Sequence, residues 1–239
     1  GTAFDISSAF VTKSFDISDY VTTDQYYIYF NNAGTQFFVL ETDSSEIYYY
    51  KMYSSNNIES SEYVTSLTIP AETETDPVGI QFSPSGKKLY FAGKDSKLIY
   101  QYDLSTGFDL LTAVFNNKSI YIQAYVPAIS NLIWNSSGTL LTVIATNYRA
   151  YQFETSIPYE ILTADFKSSF VYENLQNNDL FELGDNSNKL YTYSGYSLKQ
   201  NTISNSEYDI RPLRTEEINS LGLYLLEKMA EQKYHTGSI

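Results

Sequence analysis

Residues 77–110 read "PVGIQFSPSGKKLYFAGKDSKLIYQYDLSTGFDL", three short apolar stretches that are separated by turns. The turn Pro84-Ser85-Gly86 lies between the first two stretches, and the segment ends in the tag Phe108-Asp109-Leu110. Apolar and aromatic runs bounded by Gly, Pro, Asp and Ser are typical of β-strands joined by tight turns. The fold depends on whether this meander is isolated or is one copy of a repeat.

The hairpin and the tag both recur along the chain. Similar turns between apolar pairs lie at residues 32–34, 84–86, 136–138 and 186–188. The tag has an apolar third member at positions 6, 58, 110, 161 and 210, so the intervals are 52, 52, 51 and 49 residues. Its copies are Phe4-Asp5-Ile6, a degraded Asn57-Ile58, Phe108-Asp109-Leu110, Tyr159-Glu160-Ile161 and Tyr208-Asp209-Ile210. Two independent landmarks with one period indicate a repeat protein.

The period predicts an all-β fold, a β-propeller of about four four-stranded blades. In the best-formed copy, strands are predicted at 78–82, 88–92, 97–103 and 118–123, and four strands in about 50 residues is typical of a propeller blade. A sandwich of irregular strands would explain the strands but not the period. We expect the propeller to occupy residues 1–210.

Ring closure is predicted at the N-terminus. A strand over Val11–Ile17 follows the first tag and is expected to complete the last blade, because the fourth copy supplies only three strands before Tyr208-Asp209-Ile210. Such closure leaves no unpaired sheet edge at the seam. The alternative is a larger ring that is truncated here or completed by other chains.

A different pattern begins after Pro212, and residues 211–239 are expected to form a C-terminal helix and tail. Ile218, Leu221, Leu225 and Met229 recur at intervals of 3, 4 and 4 residues, which places them on one helical face. This apolar face needs burial, either on its own propeller or on a partner. Docking on another protein or self-association would both provide it.

Composition excludes several kinds of site. The chain of 239 residues has no Cys, a single His and a net charge of −13. Disulfides and thiolate metal sites are therefore absent, and a Ser-His-Asp triad or a His metal cluster is not expected. The acidic charge argues against binding of nucleic acid, and no apolar run is long enough for membrane insertion. We expect no cofactor and no metal.

Tyrosines and turn carboxylates are the remaining candidates for a ligand site. Tyr48, Tyr49 and Tyr50 alternate between the faces of a predicted strand, so they either pack against neighbouring blades or form an exposed platform for a sugar or a protein. The turn carboxylates are Asp43, Glu46, Asp95 and Asp185. They either have a structural role in turns, which is the simpler interpretation, or carboxylates from different blades converge as a glycosidase pair.

The stretch 77–113 resembles a propeller repeat found in tailed-phage and marine viral proteins. Its units read P-x-G-[IL]-x-F-x-P-[DS]-G-x-K-[ML]-Y and then Y-[DE]-L-S-T-x-[FW]-D-[IL]-S-T-A. It is similar, more loosely, to YVTN-type and WD-like surface propellers. The third and fourth units are degenerate, and no catalytic residue of any such family carries over.

This resemblance implies a non-catalytic structural or accessory protein of a phage virion, in a tail, neck or head appendage exposed to the extracellular medium. Such a propeller would act through protein–protein interaction with other virion proteins. One alternative is a receptor-binding, lectin-like module for host glycan. An enzyme such as a lactonase or glycosidase is a third hypothesis, which the lack of Cys and usable His disfavours.

Overall fold

The computed structural model describes residues 13–94, 96–147 and 149–171, and beyond them the backbone of three strands between residues 180 and 202. Every strand within these residues belongs to an antiparallel sheet, which confirms the predicted all-β class. The first sheet contains β1 (Tyr26–Phe30), β2 (Gln36–Glu41), β3 (Glu46–Met52) and β4 (Ser61–Thr68). The second contains β5 (Pro77–Phe82), β6 (Lys88–Gly93), β7 (Leu98–Leu104) and β8 (Ala113–Tyr121). The third contains β9 (Ile129–Trp134), β10 (Leu140–Ala145), β11 (Arg149–Thr155) and β12 (Ala164–Val171).

The three sheets are successive copies of one four-stranded meander, in which each strand pairs with the next in the sequence. The three earlier strands predicted in the second copy match β5, β6 and β7, whereas the last strand begins at Ala113 rather than at 118. Strand β1 contacts β5, and β5 contacts β9, so the first strands of consecutive sheets are neighbours. This arrangement is that of adjacent blades in a partial propeller.

The second sheet is apolar on both faces because it packs between the first sheet and the third. Phe38 and Leu40 of the first sheet share a core with Ile80 and Phe82 of the second. A second core joins the second sheet to the third and contains Tyr90, Ala92, Leu132 and Trp134. Burial of both faces explains why the central strands read as continuous apolar runs rather than alternating ones.

The two repeated landmarks of the sequence meet in space. The N–H of Phe108 donates a hydrogen bond of 3.0 Å to the carbonyl oxygen of Gly86, and the Phe108 ring lies where a side chain at Gly86 would project. Phe108 has φ 62° and Gly86 has φ 69°, both left-handed. The same hydrogen bond joins Asn56 to Gly34 and Tyr159 to Gly138. The tag then turns through a short 3-10 segment; the three copies are Ile58–Ser60, Leu110–Thr112 and Ile161–Thr163.

A fourth sheet has the backbone of the first three strands of a unit. Its strands are β13 (Leu180–Gly184), β14 (Lys189–Ser194) and β15 (Ser197–Thr202), paired in sequence order. The register also repeats, because a glutamine of the third strand pairs with the equivalent residue of the second strand in three units. These pairs are Tyr90 with Gln101, Thr142 with Gln152 and Tyr191 with Gln200.

The N-terminal segment differs from the prediction. Residues 13–17, the described part of the predicted strand 11–17, belong to no strand. Phe15 instead packs edge-on against Phe37 and Tyr50, on the face of the first sheet that is turned away from the second. The N–H groups of Tyr20 and Val21 both bond the Ile17 carbonyl, as Tyr125 and Val126 bond that of Ile122. This segment therefore repeats an inter-sheet connection. The predicted C-terminal helix and tail, 211–239, and the boundary at residue 210 lie outside the described residues.

Candidate interaction surface

The three tyrosines predicted as a possible platform are enclosed. Tyr49 stacks on Phe38 with 5.0 Å between ring centroids, and Tyr50 stacks on Phe37 at 4.7 Å. Tyr48 is buried on the same face as Tyr50. This burial is the main reason that the pKa of its hydroxyl is raised to about 12. These rings form no exposed platform, because strand alternation sends them into cores on both faces of the sheet.

The other predicted site residues are not brought together. Asp43 is exposed in the turn between β2 and β3, and Glu46 accepts a hydrogen bond from Ser66 on the neighbouring strand. Two of the predicted acids, Asp95 and Asp185, lie outside the described residues. So do the predicted helix-face residues, which are Ile218, Leu221, Leu225 and Met229. In the part of the chain that the structure describes, no group of three His, Asp or Glu side chains could hold a metal ion.

Glu41 is a fully buried carboxylate that the sequence analysis did not single out. One oxygen accepts hydrogen bonds from the N–H groups of Thr22 and Thr23 at 2.7 and 2.8 Å. The other oxygen accepts from the hydroxyls of Ser44 at 2.6 Å and Tyr48 at 3.1 Å. Burial alone would raise the pKa of Glu41, but these hydrogen bonds outweigh it and lower the pKa to about 2.

Glu74 occupies the equivalent place in the second sheet. Its carboxylate accepts from the N–H groups of Thr75 and Asp76, both at 3.0 Å, and from the hydroxyls of Ser96 at 2.5 Å and Tyr100 at 3.2 Å. Ser96 and Tyr100 lie 52 residues after Ser44 and Tyr48, which are the two hydroxyl donors of Glu41 named above. Both carboxylates therefore fasten inter-sheet connections, and their oxygens are occupied by structural donors.

A charged cluster joins the second and third sheets. Glu160 of the third tag accepts hydrogen bonds from Lys88 at 2.8 Å and Lys118 at 3.1 Å, and Lys118 also pairs with Asp103 at 3.1 Å. Gln101 accepts a hydrogen bond from the N–H of Ile161. Burial would raise the pKa of Glu160, but its lysine and glutamine donors hold it below the usual value. The cluster orients one blade against the next.

Replacing Glu160 with glutamine is expected to lower the free energy of unfolding by about 1–2 kcal/mol, because two partly buried lysines lose their charged acceptor. Urea unfolding at neutral pH measures the change. Glu154→Gln is the control: Glu154 pairs with Lys167 at 3.1 Å but is largely exposed, so its loss should cost less than about 0.5 kcal/mol. Equal effects of the two substitutions would contradict the role assigned to Glu160.

One face of β1 is uncovered. Tyr26, Ile28 and Phe30, named here the open stripe, are 46%, 47% and 48% exposed. The equivalents of Ile28 and Phe30 in the second sheet lie 52 residues later and are buried; these are Ile80 and Phe82, at 2% and 3% exposure, and both belong to the core shared with the first sheet. The same positions are buried in the third sheet as Leu132 and Trp134. The open stripe is therefore a blade-packing surface without a described neighbour.

A second set of exposed apolar residues lies on the tags. Leu111 is 78% exposed and Leu162 is 55% exposed, and each is the middle residue of a 3-10 segment. The segment that holds Leu111 contacts β4, and the segment that holds Leu162 contacts β8. Exposed leucines thus occupy equivalent positions on two consecutive blades, beside the outer strand of the preceding blade.

Comparison with known proteins gives no family. No protein-family model matches the chain, and no curated protein is similar to it. Similar solved structures include a Lactobacillus plantarum protein, with 8% identity, a TM-score of 0.48, and coverage of 73% of this chain and 50% of that one. The periplasmic gluconolactonase of Pseudomonas aeruginosa has 11% identity, a TM-score of 0.45, and coverage of 60% of this chain and 38% of that one. A Bacteroides uniformis protein provisionally assigned as a 6-phosphogluconolactonase has 16% identity, a TM-score of 0.46, and coverage of 72% and 52%.

This chain spans about half the length of these structures or less, and the similarity is too low to carry an activity across. The class that its own sheets define is an all-β repeat protein with partial propeller architecture. Within the described residues, no helix has the length and apolar character needed to cross a membrane.

Proposed function

We propose that this chain is a non-catalytic propeller of four blades that binds other proteins as an accessory component of a virus particle. The observation that carries the proposal is the pair of exposed leucines, Leu111 and Leu162, at equivalent positions of consecutive blades. Apolar side chains repeated along one edge make a docking surface whose contacts add up, whereas a single exposed leucine needs no explanation.

The polar residues support binding rather than catalysis. Glu41 and Glu74 are saturated by backbone and hydroxyl donors, and Glu160 is held by two lysines. A general acid or base needs a proton-transfer atom within reach of substrate. The oxygens of these three carboxylates instead accept hydrogen bonds that hold loops and blades together.

The location on a particle rests on the resemblance of residues 77–113 to viral propeller repeats. Such a protein would lie on the virion surface, in the extracellular medium, and would contact other virion proteins. The glycan-binding alternative loses the tyrosine platform as a contact surface, because Tyr48, Tyr49 and Tyr50 are buried, and would have to use loops between blades. It remains an outcome that the test below can reveal.

The test is binding of the purified chain to virus particles from the source of the sequence, followed by sedimentation and mass spectrometry. We expect the chain among the particle proteins, and we expect Leu111→Ser/Leu162→Ser to bind at least about tenfold more weakly, a loss of about 1.4 kcal/mol. Tyr121→Ser is the matched control, since Tyr121 is 62% exposed but is not on a tag.

Three results would overturn the proposal: absence of the chain from particles, unchanged binding by the double variant, or turnover of a lactone or glycoside. Binding to a glycan array, lost in no leucine variant, would favour the lectin-like function instead. Circular dichroism of each variant confirms that it is folded.

A further inference from the structure

The positions equivalent to the open stripe have a defined partner in the second and third sheets. In the second sheet, Phe82 packs on Phe38 of the preceding sheet, with ring centroids 4.5 Å apart. In the third sheet, Trp134 packs on Tyr90 of the preceding sheet at 5.2 Å. The first strand of a blade is thus covered by an aromatic residue on the second strand of the blade before it. Phe30 occupies the place of Phe82 and Trp134.

The fourth sheet supplies an aromatic residue at the required position. Tyr90 pairs with Gln101 across its sheet, and Tyr191 pairs with Gln200 across the fourth sheet. Tyr191 is therefore the fourth-unit equivalent of Phe38 and Tyr90. We propose that the open stripe is the docking face for β14 of the same chain, so that the first and fourth sheets meet.

The chain's own fourth sheet is favoured over a second copy by the length of the connections. Residues 69–76 join the first sheet to the second, 122–128 join the second to the third, and 172–179 join the third to β13. These connections contain 8, 7 and 8 residues. A sheet tethered by such a connection meets the stripe at an effective concentration that a free copy does not reach. The inference rests on the four blades of the proposed function, whose closure it specifies, but not on any binding partner.

The chain has no cysteine, so a pair of introduced thiols reports this contact without background. The test treats Phe30→Cys/Tyr191→Cys with a short bis-maleimide and separates the products by mass under denaturing conditions. Phe38→Cys/Phe82→Cys is the positive control, because those rings touch. Phe30→Cys/Lys167→Cys is the negative control, since Lys167 lies on the outer strand of the third sheet.

We expect an intrachain cross-link for the Phe30/Tyr191 pair at a yield within about twofold of the positive control. Cross-linked dimers would overturn the proposal in favour of a second copy on the stripe. No cross-link, in a protein whose circular dichroism matches the parent, would overturn docking altogether. A chain that cross-links yet fails to bind particles keeps the ring and loses only the proposed function.

A second measurement does not depend on the cross-linker. Ile28→Asp should lower the urea midpoint by about 1 M if β14 covers the stripe, because a buried, unpaired charge is costly. Val64→Asp is the control, since Val64 is exposed to the same degree, 48%, on the outer strand β4. Equal midpoints for the two variants would count against coverage of the stripe.

Discussion

Replacing Gly86 with alanine is expected to lower the free energy of unfolding by about 3 kcal/mol. The backbone at Gly86 has φ 69°, a left-handed conformation that costs an L-residue about 1–2 kcal/mol. A Cβ there would also overlap the ring of Phe108, which is itself held at φ 62° by the hydrogen bond to the Gly86 carbonyl. The ring packs on Phe82 and cannot withdraw without opening the core.

Urea unfolding of four proteins separates the two contributions. We expect Gly86→Ala to cost about 3 kcal/mol in the parent but only about 1 kcal/mol in a Phe108→Gly background, where the overlap is gone and the strained turn is relieved. Ser85→Ala, at the exposed neighbouring position, should change stability by less than about 0.5 kcal/mol. Additive costs of the two substitutions would show that the hairpin glycine and the tag are not coupled.

This contact explains why the fold could be predicted from two short motifs. The hairpin glycine and the tag keep one period because each tag residue covers the glycine of its own blade. The same contact accounts for the degraded copy of the tag in the first unit. There Asn56, which tolerates a positive φ, takes the place of the aromatic residue, and this unit has no described preceding blade. A repeat of period about 50 then predicts the strands, because each unit buries its faces only against its neighbours.

The buried carboxylates could not be predicted by aligning the units. Glu41 ends the second strand of its sheet, but the position 52 residues later is Gly93, so repeat equivalence indicates no acid there. The second carboxylate comes instead from Glu74 in the connection, and a side chain at Gly93 would collide with it. The hydroxyls of Ser and Tyr recur in both units. What recurs in both units is thus the location of a carboxylate beside these hydroxyls, and not its position in the repeat. Only the structure reveals this.

The open stripe lies between these two cases. Its alternation, Tyr26, Ile28 and Phe30, is visible in the sequence and predicts a strand with one apolar face. Its exposure depends on which sheet lies opposite, and this is a property of the ring rather than of the strand. The buried tyrosines show the same limit, because a strand that packs on both faces hides every ring regardless of its alternation.

Replacing Glu41 with glutamine is expected to lower the free energy of unfolding by about 2–3 kcal/mol at neutral pH. Five donor groups converge on this carboxylate, and an amide nitrogen cannot accept from Ser44 or Thr22. Glu46→Gln is the control: Glu46 lies five residues further on, half-buried with one hydroxyl donor, so its substitution should cost less than about 1 kcal/mol. Urea unfolding followed by circular dichroism measures both.

The pH dependence of the difference between the parent and Glu41→Gln identifies the charge as the cause. The pKa of Glu41 is lowered from 4.5 to about 2 in the folded chain, so between these values the unfolded chain binds the proton more readily. The contribution of the carboxylate is therefore complete above pH 4.5 and is lost as the pH falls towards 2. We expect the stability difference between the two proteins to be constant from pH 7 to pH 5 and to shrink steadily below that. Other carboxylates titrate equally in both proteins and cancel. A difference that stays constant down to pH 2.5 would mean that Glu41 stabilises the connection by its shape and not by its charge.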